Sequence, residues 1–226
     1  MTFPRCIKSV EFDTGYYEFH VYCDSSQVAF GASIYIRCVS SLGKISSQLV
    51  MSKSHIAPIR NSLSVPRLEL QAAKCGVSLY LVLKRELCLE SVPVFFWTDS
   101  KIVLGYIHNK TRRFHTFVQN RVGYIRTNTN PLWWFHIDSS SNPADLLTRP
   151  LSLDRQGVVD LWCYGPKCLN EFTRFWEKNS DSYVVASNDP EVKVGDTQTE
   201  TCLISESWIE RICKHYFSWT KIANSV

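Results

Sequence analysis

The spacing of hydrophobic and polar positions changes several times along this chain, and each change marks an element. EFHVYCD (18–24) alternates in the manner of a strand, with His20, Tyr22 and Asp24 on one side. After the Ser25-Ser26 connection, QVAFGASIYIRCV (27–39) is apolar, β-branched and aromatic. KISSQLVMSKS (44–54) follows Ser-Ser-Leu-Gly, so these three segments predict an antiparallel meander. Residues 55–65 read as loop, broken at Pro58 and Asn61. Pro66 fits the first turn of a helix, where its missing N–H costs nothing. From there Leu68, Ala72, Cys75, Leu79 and Val82 recur at helical spacing, which predicts one amphipathic helix over 66–88. VFFWTD (94–99) is a short continuous apolar run, typical of a strand buried on both faces. SKIVLGYIH (100–108) predicts a helix capped by Asp99 or Ser100. Residues 114–127 predict another helix, LWWFHI (132–137) a strand, and Asn142-Pro143 the start of a short last helix.

The resulting order, βββ-α-β-α-α-β-α, predicts an α/β fold: a five-stranded mixed sheet, its first three strands antiparallel, flanked by helices. Residues 1–17 are expected as a leader and 18–150 as the domain. Beyond Pro150 the pattern weakens. Residues 151–178, with LWCYGPKCLNEFTRFW (161–176), are expected to pack on the domain edge. Residues 179–226 are expected as a poorly structured C-terminal extension: a polar linker to about 201, then a partial helix over 208–219.

Composition and charge narrow the class. Hydrophobic residues make up 45% of the 226, enough for a real core, and no apolar run has membrane-spanning length. The start, MTFPRCIKSVEFD, lacks the apolar core of a secretory signal, so an intracellular protein is expected, cytoplasmic or nuclear. The nine cysteines include no CxxC pair and several sit in apolar runs, as free thiols in a reducing compartment would. Cys163, Cys168 and His215 make a poor zinc set on spacing. Residues 1–150 hold 17 Lys/Arg against 10 Asp/Glu, a net +7, whereas residues 151–226 hold 8 against 11, a net −3. A polyanion is therefore expected to bind the front part.

Four acidic residues break the rule that apolar segments exclude carboxylates. Asp24 ends the first predicted strand, and Glu69 falls in the first turn of the long helix. Asp99 ends VFFWT, and Asp145 falls in the first turn of the last helix. Strand ends and the helix starts packed on them meet at one edge of an α/β sheet. Four carboxylates gathered there would raise each other's pKa unless divalent cations supplied positive charge. Mg²⁺ suits hard oxygen ligands and keeps waters and phosphate oxygens in its shell. Two such ions can activate water and stabilise a leaving oxygen in phosphodiester hydrolysis. Asp99 and Asp145 equally suit helix-cap positions, and Asp24 an ordinary turn, so the pattern alone leaves both readings open.

VYCDSSQVAFGASIYIR, MSKSHIAPIRNSLSVPRLELQAA, VFFWTDSKIVLGYI, FVQNRVGYI and WWFHIDSSSNPADLLTRP, which lie within residues 19–150, resemble the RNase H domain between reverse transcriptase and integrase in BEL/Pao-type LTR retrotransposon polyproteins. LWCYGPKCL resembles the segment after that domain, with Cys163 and Cys168 where larger residues are expected, and SWTKIANSV resembles the linker toward integrase. The resemblance implies an RNase H-like fold and Mg²⁺-dependent (or Mn²⁺-dependent) hydrolysis of the RNA strand of RNA–DNA hybrids. Its acidic tetrad falls on Asp24, Glu69, Asp99 and Asp145, as catalytic residues and metal ligands. Asp24 would then bridge two ions, Asp145 join it at the water-activating ion, and Glu69 and Asp99 hold the ion facing the leaving 3′ oxygen. The histidine found near the active site of some RNases H has no secure counterpart. The implied partners are the hybrid and the reverse transcriptase and integrase regions of a parent polyprotein.

No acidic residue lies between Asp99 and Asp138, while Arg112, Arg113 and Arg121 fall in that interval with Lys101, Lys110 and Arg126. These could neutralise phosphates, as could Lys53, Arg60 and Arg67 ahead of Glu69. Ser25, Ser26, Ser100 and Asn142 flank the acids and are candidate contacts to the RNA sugar–phosphate chain. A solvated basic face accounts for the same residues. Two other functions are open. A non-catalytic nucleic-acid-binding or connecting module, left in a truncated retroelement remnant, fits a domain that starts so near Met1. An RNase H-like nuclease or integrase acting on DNA would usually carry three acids rather than four.

Overall fold

In the computed structural model the described residues are 15–59, 63–87, 92–149, 156–171 and 183–197. Three long strands open the fold: β1 (Gly15–Ser25), β2 (Ala29–Ser40) and β3 (Ile45–Ile56). They form the expected antiparallel meander. Helix α1 (Val65–Glu86) follows, then β4 (Val94–Thr98), α2 (Lys101–His108), β5 (Arg112–Phe114), α3 (Thr116–Asn128) and β6 (Trp134–His136). β4 lies parallel to β1, and β6 parallel to β4. The sheet order is β3-β2-β1-β4-β6, the five-stranded mixed sheet that the hydrophobic pattern predicts.

β1 is central and its alternation separates two cores. Phe19, Val21 and Cys23 join the larger core with Ile34, Leu70, Val77, Phe96, Leu104 and Trp134, which lies under α1, α2 and α3. Tyr22 belongs to a smaller core with Tyr35, Trp97, Ile137, Ala144 and Leu169. α1 lies so close to β1 that a Cβ at Gly76 would sit 2.5 Å from Cys23 Sγ. Of the adjacent tryptophans, Trp134 is buried and stacks on Phe96 at 4.7 Å, while Trp133 is half-buried.

The second face is closed by α4 (Gln156–Tyr164) and a 3-10 turn at Lys167–Asn170. Tyr35 Oη donates to Trp162 O at 2.8 Å, and Ser47 Oγ to Tyr164 O at 2.5 Å. Arg37, 1% exposed, donates to Leu169 O and Glu171 O and pairs with the fully buried Glu18 at 3.0 Å.

Several expected bounds move. The strand expected over 132–137 is confined to β6, because Asn130 Oδ1 accepts from Leu132 N and starts a 3-10 turn at Pro131–Trp133. The last predicted helix is a 3-10 turn, Pro143–Leu147. α1 starts at Val65, so Glu69 falls in its second turn rather than its first. The largest departure concerns residues 183–197, expected within a linker. They lie on the domain, and their strand β7 (Val192–Thr197) pairs antiparallel with β5. Backbone pairing requires no apolar pattern, so a polar sequence hides such a strand. Residues 1–14 of the expected leader, Arg60, Asn61, His215 and the expected helix over 208–219 lie outside the described residues.

Candidate active site

Strand register builds this site. Cys23 on β1 pairs with Thr98 on parallel β4, so the next residues, Asp24 near the end of β1 and Asp99 just past β4, lie at the same edge. α2 begins there, and Ser100 caps it by accepting from Val103 N at 3.2 Å. The same Ser100 hydroxyl donates to Glu69 Oε2 at 2.5 Å, which ties the α1 acid to the end of β4. Asn142 joins the fourth acid to the edge. Its Nδ2 donates to Cys23 O at 3.1 Å, and its Oδ1 accepts from Ala144 N, starting the turn that carries Asp145.

Each carboxylate has a local partner. Thr148 Oγ1 donates to Asp24 Oδ2 at 2.7 Å, and Ser139 Oγ to Asp99 Oδ2 at 2.5 Å. Arg149 Nε lies 2.8 Å from Asp145 Oδ1 as an ion pair. These partners do not offset the crowding. Burial pushes the Asp24 carboxyl up to about 7; the charges of Asp99 and Asp145 add to this, and the Thr148 hydroxyl opposes it. Burial also raises Glu69, with Asp99 adding and Ser100 opposing. Asp145 is raised by burial, against the pull of Arg149 and with a further push from Asp99. The charge of Asp99 thus reaches all three other acids.

The donors are carboxylate oxygens, the ligand class that Mg²⁺ and Mn²⁺ take, and the crowding would be relieved by positive charge. In that respect the residues fit a divalent cation. Among the described residues, however, no three His, Cys, Asp or Glu side chains stand close enough together to hold an ion.

The candidate nucleic-acid contacts divide. Ser25 Oγ is buried without a hydrogen-bond partner among the described residues. Ser26 closes the β1–β2 turn, accepting from Val28 N and Ala29 N and donating to Thr148 O. Ser100 and Asn142 are engaged as described above, so three of the four small polar candidates brace the acidic edge. Lys53 is exposed on β3, and Arg113 is exposed on β5. Arg67 and Arg121 flank one ring, at 4.9 and 3.4 Å from the Phe117 centroid. Arg121 also bonds Gln71 and Phe117 O. Arg67 is paired with Glu191, and Arg112 donates to Ala186 O.

The roles of Thr148, Ser139 and Glu191 escape sequence reasoning. Thr148 and Ser139 are small polar residues in turns, with nothing to distinguish them. Glu191 acts across 124 residues.

The model of the Pao retrotransposon-like RNaseH-like domain matches residues 1–100. No curated protein matches the chain in sequence. Among solved structures, RNase H1 of the halophilic archaeon Halobacterium salinarum NRC-1 is similar at 14% identity and a TM-score of 0.38, covering 59% of this chain and 94% of that one. The N-terminal RNase H domain of rv2228c from Mycobacterium tuberculosis gives 11% and 0.40, covering 57% and 95%. LC11-RNase H1, solved in complex with an RNA/DNA hybrid, gives 13% and 0.39, covering 58% and 92%. Residues 1–100 thus match the Pao retrotransposon-like RNaseH-like domain, in accord with the motifs there, and this stretch carries Asp24, Glu69 and Asp99.

Proposed function

We propose that this chain is a metal-dependent endonuclease that hydrolyses the RNA strand of RNA–DNA hybrids, within a retrotransposon Pol polyprotein. The observation that carries this reading is the β1–β4 register, which sets Asp24 beside Asp99 at one sheet edge, with Glu69 and Asp145 in electrostatic reach. Asp24, Glu69, Asp99 and Asp145 would hold two Mg²⁺ ions (Mn²⁺ serving in their place), Asp24 serving both, Asp145 the ion that activates water, and Glu69 and Asp99 the ion for the leaving 3′ oxygen. When bound, the ions supply a water nucleophile at neutral pH and charge stabilisation of the leaving 3′ oxygen.

The chain's own residues do the positioning. Ser100 fixes Glu69, Ser139 fixes Asp99 and Thr148 fixes Asp24, so three of the four acids are oriented by a hydroxyl donor that itself belongs to the edge. The Ser25 hydroxyl, buried without a hydrogen-bond partner among the described residues, would meet a sugar or phosphate oxygen. Lys53, Arg67, Arg112, Arg113 and Arg121 would carry backbone contacts, which makes binding salt-dependent. Reverse transcriptase and integrase regions would be covalent neighbours, and the setting a reverse-transcribing particle in the cytoplasm, or the nucleus. No helix among the described residues is long and apolar enough to cross a membrane.

The protein incubated with labelled RNA–DNA hybrid, double-stranded RNA and double-stranded DNA, each with and without Mg²⁺, tests the reading. Cleavage confined to the RNA of the hybrid and requiring metal is expected; cleavage of DNA duplex instead would replace it. One observation favours a second reading, a non-catalytic hybrid-binding module. The four carboxylates stand on hydroxyl and guanidinium partners, and no three are gathered. That module would bind hybrid, lose it with salt, and cut nothing.

A further inference from the structure

Residues 183–197 are held on the domain by Val185, which joins the larger core with Tyr183 and Val192 packed against it, and by specific polar contacts. In the β5–β7 ladder Arg112 stands opposite Thr197 and Phe114 opposite Val192. Glu191 O accepts from His115 N at 2.8 Å. Asp189 accepts from Tyr106 Oη at 2.8 Å through one carboxylate oxygen and from Glu191 N at 2.8 Å through the other. Backbone atoms of Val184 pass 3.5 Å from where a Cβ of Gly105 would be, so α2 has room for the segment at that glycine. Glu191 sits at the centre of this arrangement. Its side chain is 8% exposed and meets Arg67 with both oxygens, Oε1 to Nε at 2.5 Å and Oε2 to Nη2 at 3.1 Å.

This bidentate fork is also the geometry in which arginine takes a phosphate. Arg67 is two residues ahead of Glu69 on α1 and shares the Phe117 ring with Arg121. Arg112, a second basic residue of the same region, is tied to Ala186 O. The segment therefore places acid on the basic front of the domain, as the net charges of +7 and −3 for the two parts of the chain would favour. We propose that residues 183–197 form an autoinhibitory strap, with Glu191 holding on Arg67 the place of a nucleic-acid phosphate, so that a hybrid must displace it to bind; this rests on the proposed function only in taking a hybrid as the competitor.

The test uses the full chain with a fluorescent hybrid in EDTA, where binding is read without cleavage. Glu191→Gln keeps the shape of the residue and removes the charge. It lowers Kd about tenfold, the scale of one charge-assisted contact no longer to be displaced. Asp189→Asn, which weakens the same strap at Tyr106, lowers it less. Asp160→Asn, an exposed acid on α4, changes it by no more than about twofold, since a lone surface charge is screened. The gain disappears in an Arg67→Ala background, and saturating hybrid speeds hydrogen exchange of the 192–197 amides in the wild type. A Glu191→Gln Kd within twofold of wild type, a gain that survives Arg67→Ala, or unchanged exchange in β7 overturns the strap. These results separate from the nuclease reading. Strap release in a protein that never cuts with Mg²⁺ contradicts only the nuclease, and normal cleavage with an unaltered Glu191→Gln Kd contradicts only the strap.

Discussion

β1 carries a buried charge near each end, and the two are treated in opposite ways. Glu18 is fully buried beside Arg37, itself 1% exposed, and that guanidinium spends its remaining donors on Leu169 O and Glu171 O. Asp24, six residues on and 6% exposed, has a threonine hydroxyl and the charges of two carboxylates, Asp99 and Asp145, instead. The first arrangement neutralises its charge inside the protein and thereby fastens the C-terminal extension to β2. The second supplies no cation, so the acid holds its proton to about 7, a perturbation of the kind that clusters at functional sites. One strand thus shows a structural ion pair and a candidate catalytic acid, distinguished by where the counter-charge comes from.

The largest effect should come at the uncompensated end. Asp24→Asn should reduce hybrid cleavage by about a thousandfold or more, since a ligand proposed to serve both ions is lost. The metal-free fold should meanwhile become more stable at pH 7 than wild type, measured by urea unfolding. A destabilised Asp24→Asn protein would erase the contrast with Glu18. At the compensated end, Arg37→Met should cost about 3–5 kcal/mol, because Glu18 is left buried without its cation.

A smaller effect follows from pH. The folded state keeps the Asp24 proton to about 7, whereas an unfolded aspartate releases it near 3.8. Between those values the folded state binds more protons, so the contribution of this group to stability falls as pH rises through the window. The metal-free wild type should therefore lose stability from pH 4 to 7 more steeply than Asp24→Asn, by a few kcal/mol over the window. Equal slopes would remove Asp24 as the cause. Gly76→Ala, which presses a methyl toward Cys23 Sγ under the same strand, should cost about 1–3 kcal/mol. Ser139→Ala should be mildest, about 0.5–1.5 kcal/mol of hydrogen bonding to Asp99, with activity reduced several-fold rather than abolished.

The elements legible in the sequence are those written in local periodicity. Alternation in 18–24 and the apolar run 94–99 mark the two strands whose ends carry Asp24 and Asp99. The helical spacing from Pro66 marks α1 to within two residues at each end. What local pattern cannot carry is the partner of a polar side chain. Ser26 and Asn142 looked available for a ligand, yet their polar atoms close turns and reach Thr148 O and Cys23 O, more than a hundred residues away. Arg67 looked like a phosphate contact and is paired with Glu191. Residues 183–197 read as linker because their attachment combines backbone pairing and charge with a few apolar contacts, those of Tyr183, Val185 and Val192, too few to set a hydrophobic period.

The most direct measurement of the central claim is a Mg²⁺ titration of hybrid cleavage by the full chain, with Asp24→Asn alongside. No cutting is expected in chelator, RNA-strand cleavage should saturate with Mg²⁺ in the wild type, and the variant should cut about a thousandfold more slowly or not at all at every Mg²⁺ concentration. Cleavage that persists in chelator, or that Asp24→Asn performs as well as wild type, would contradict it.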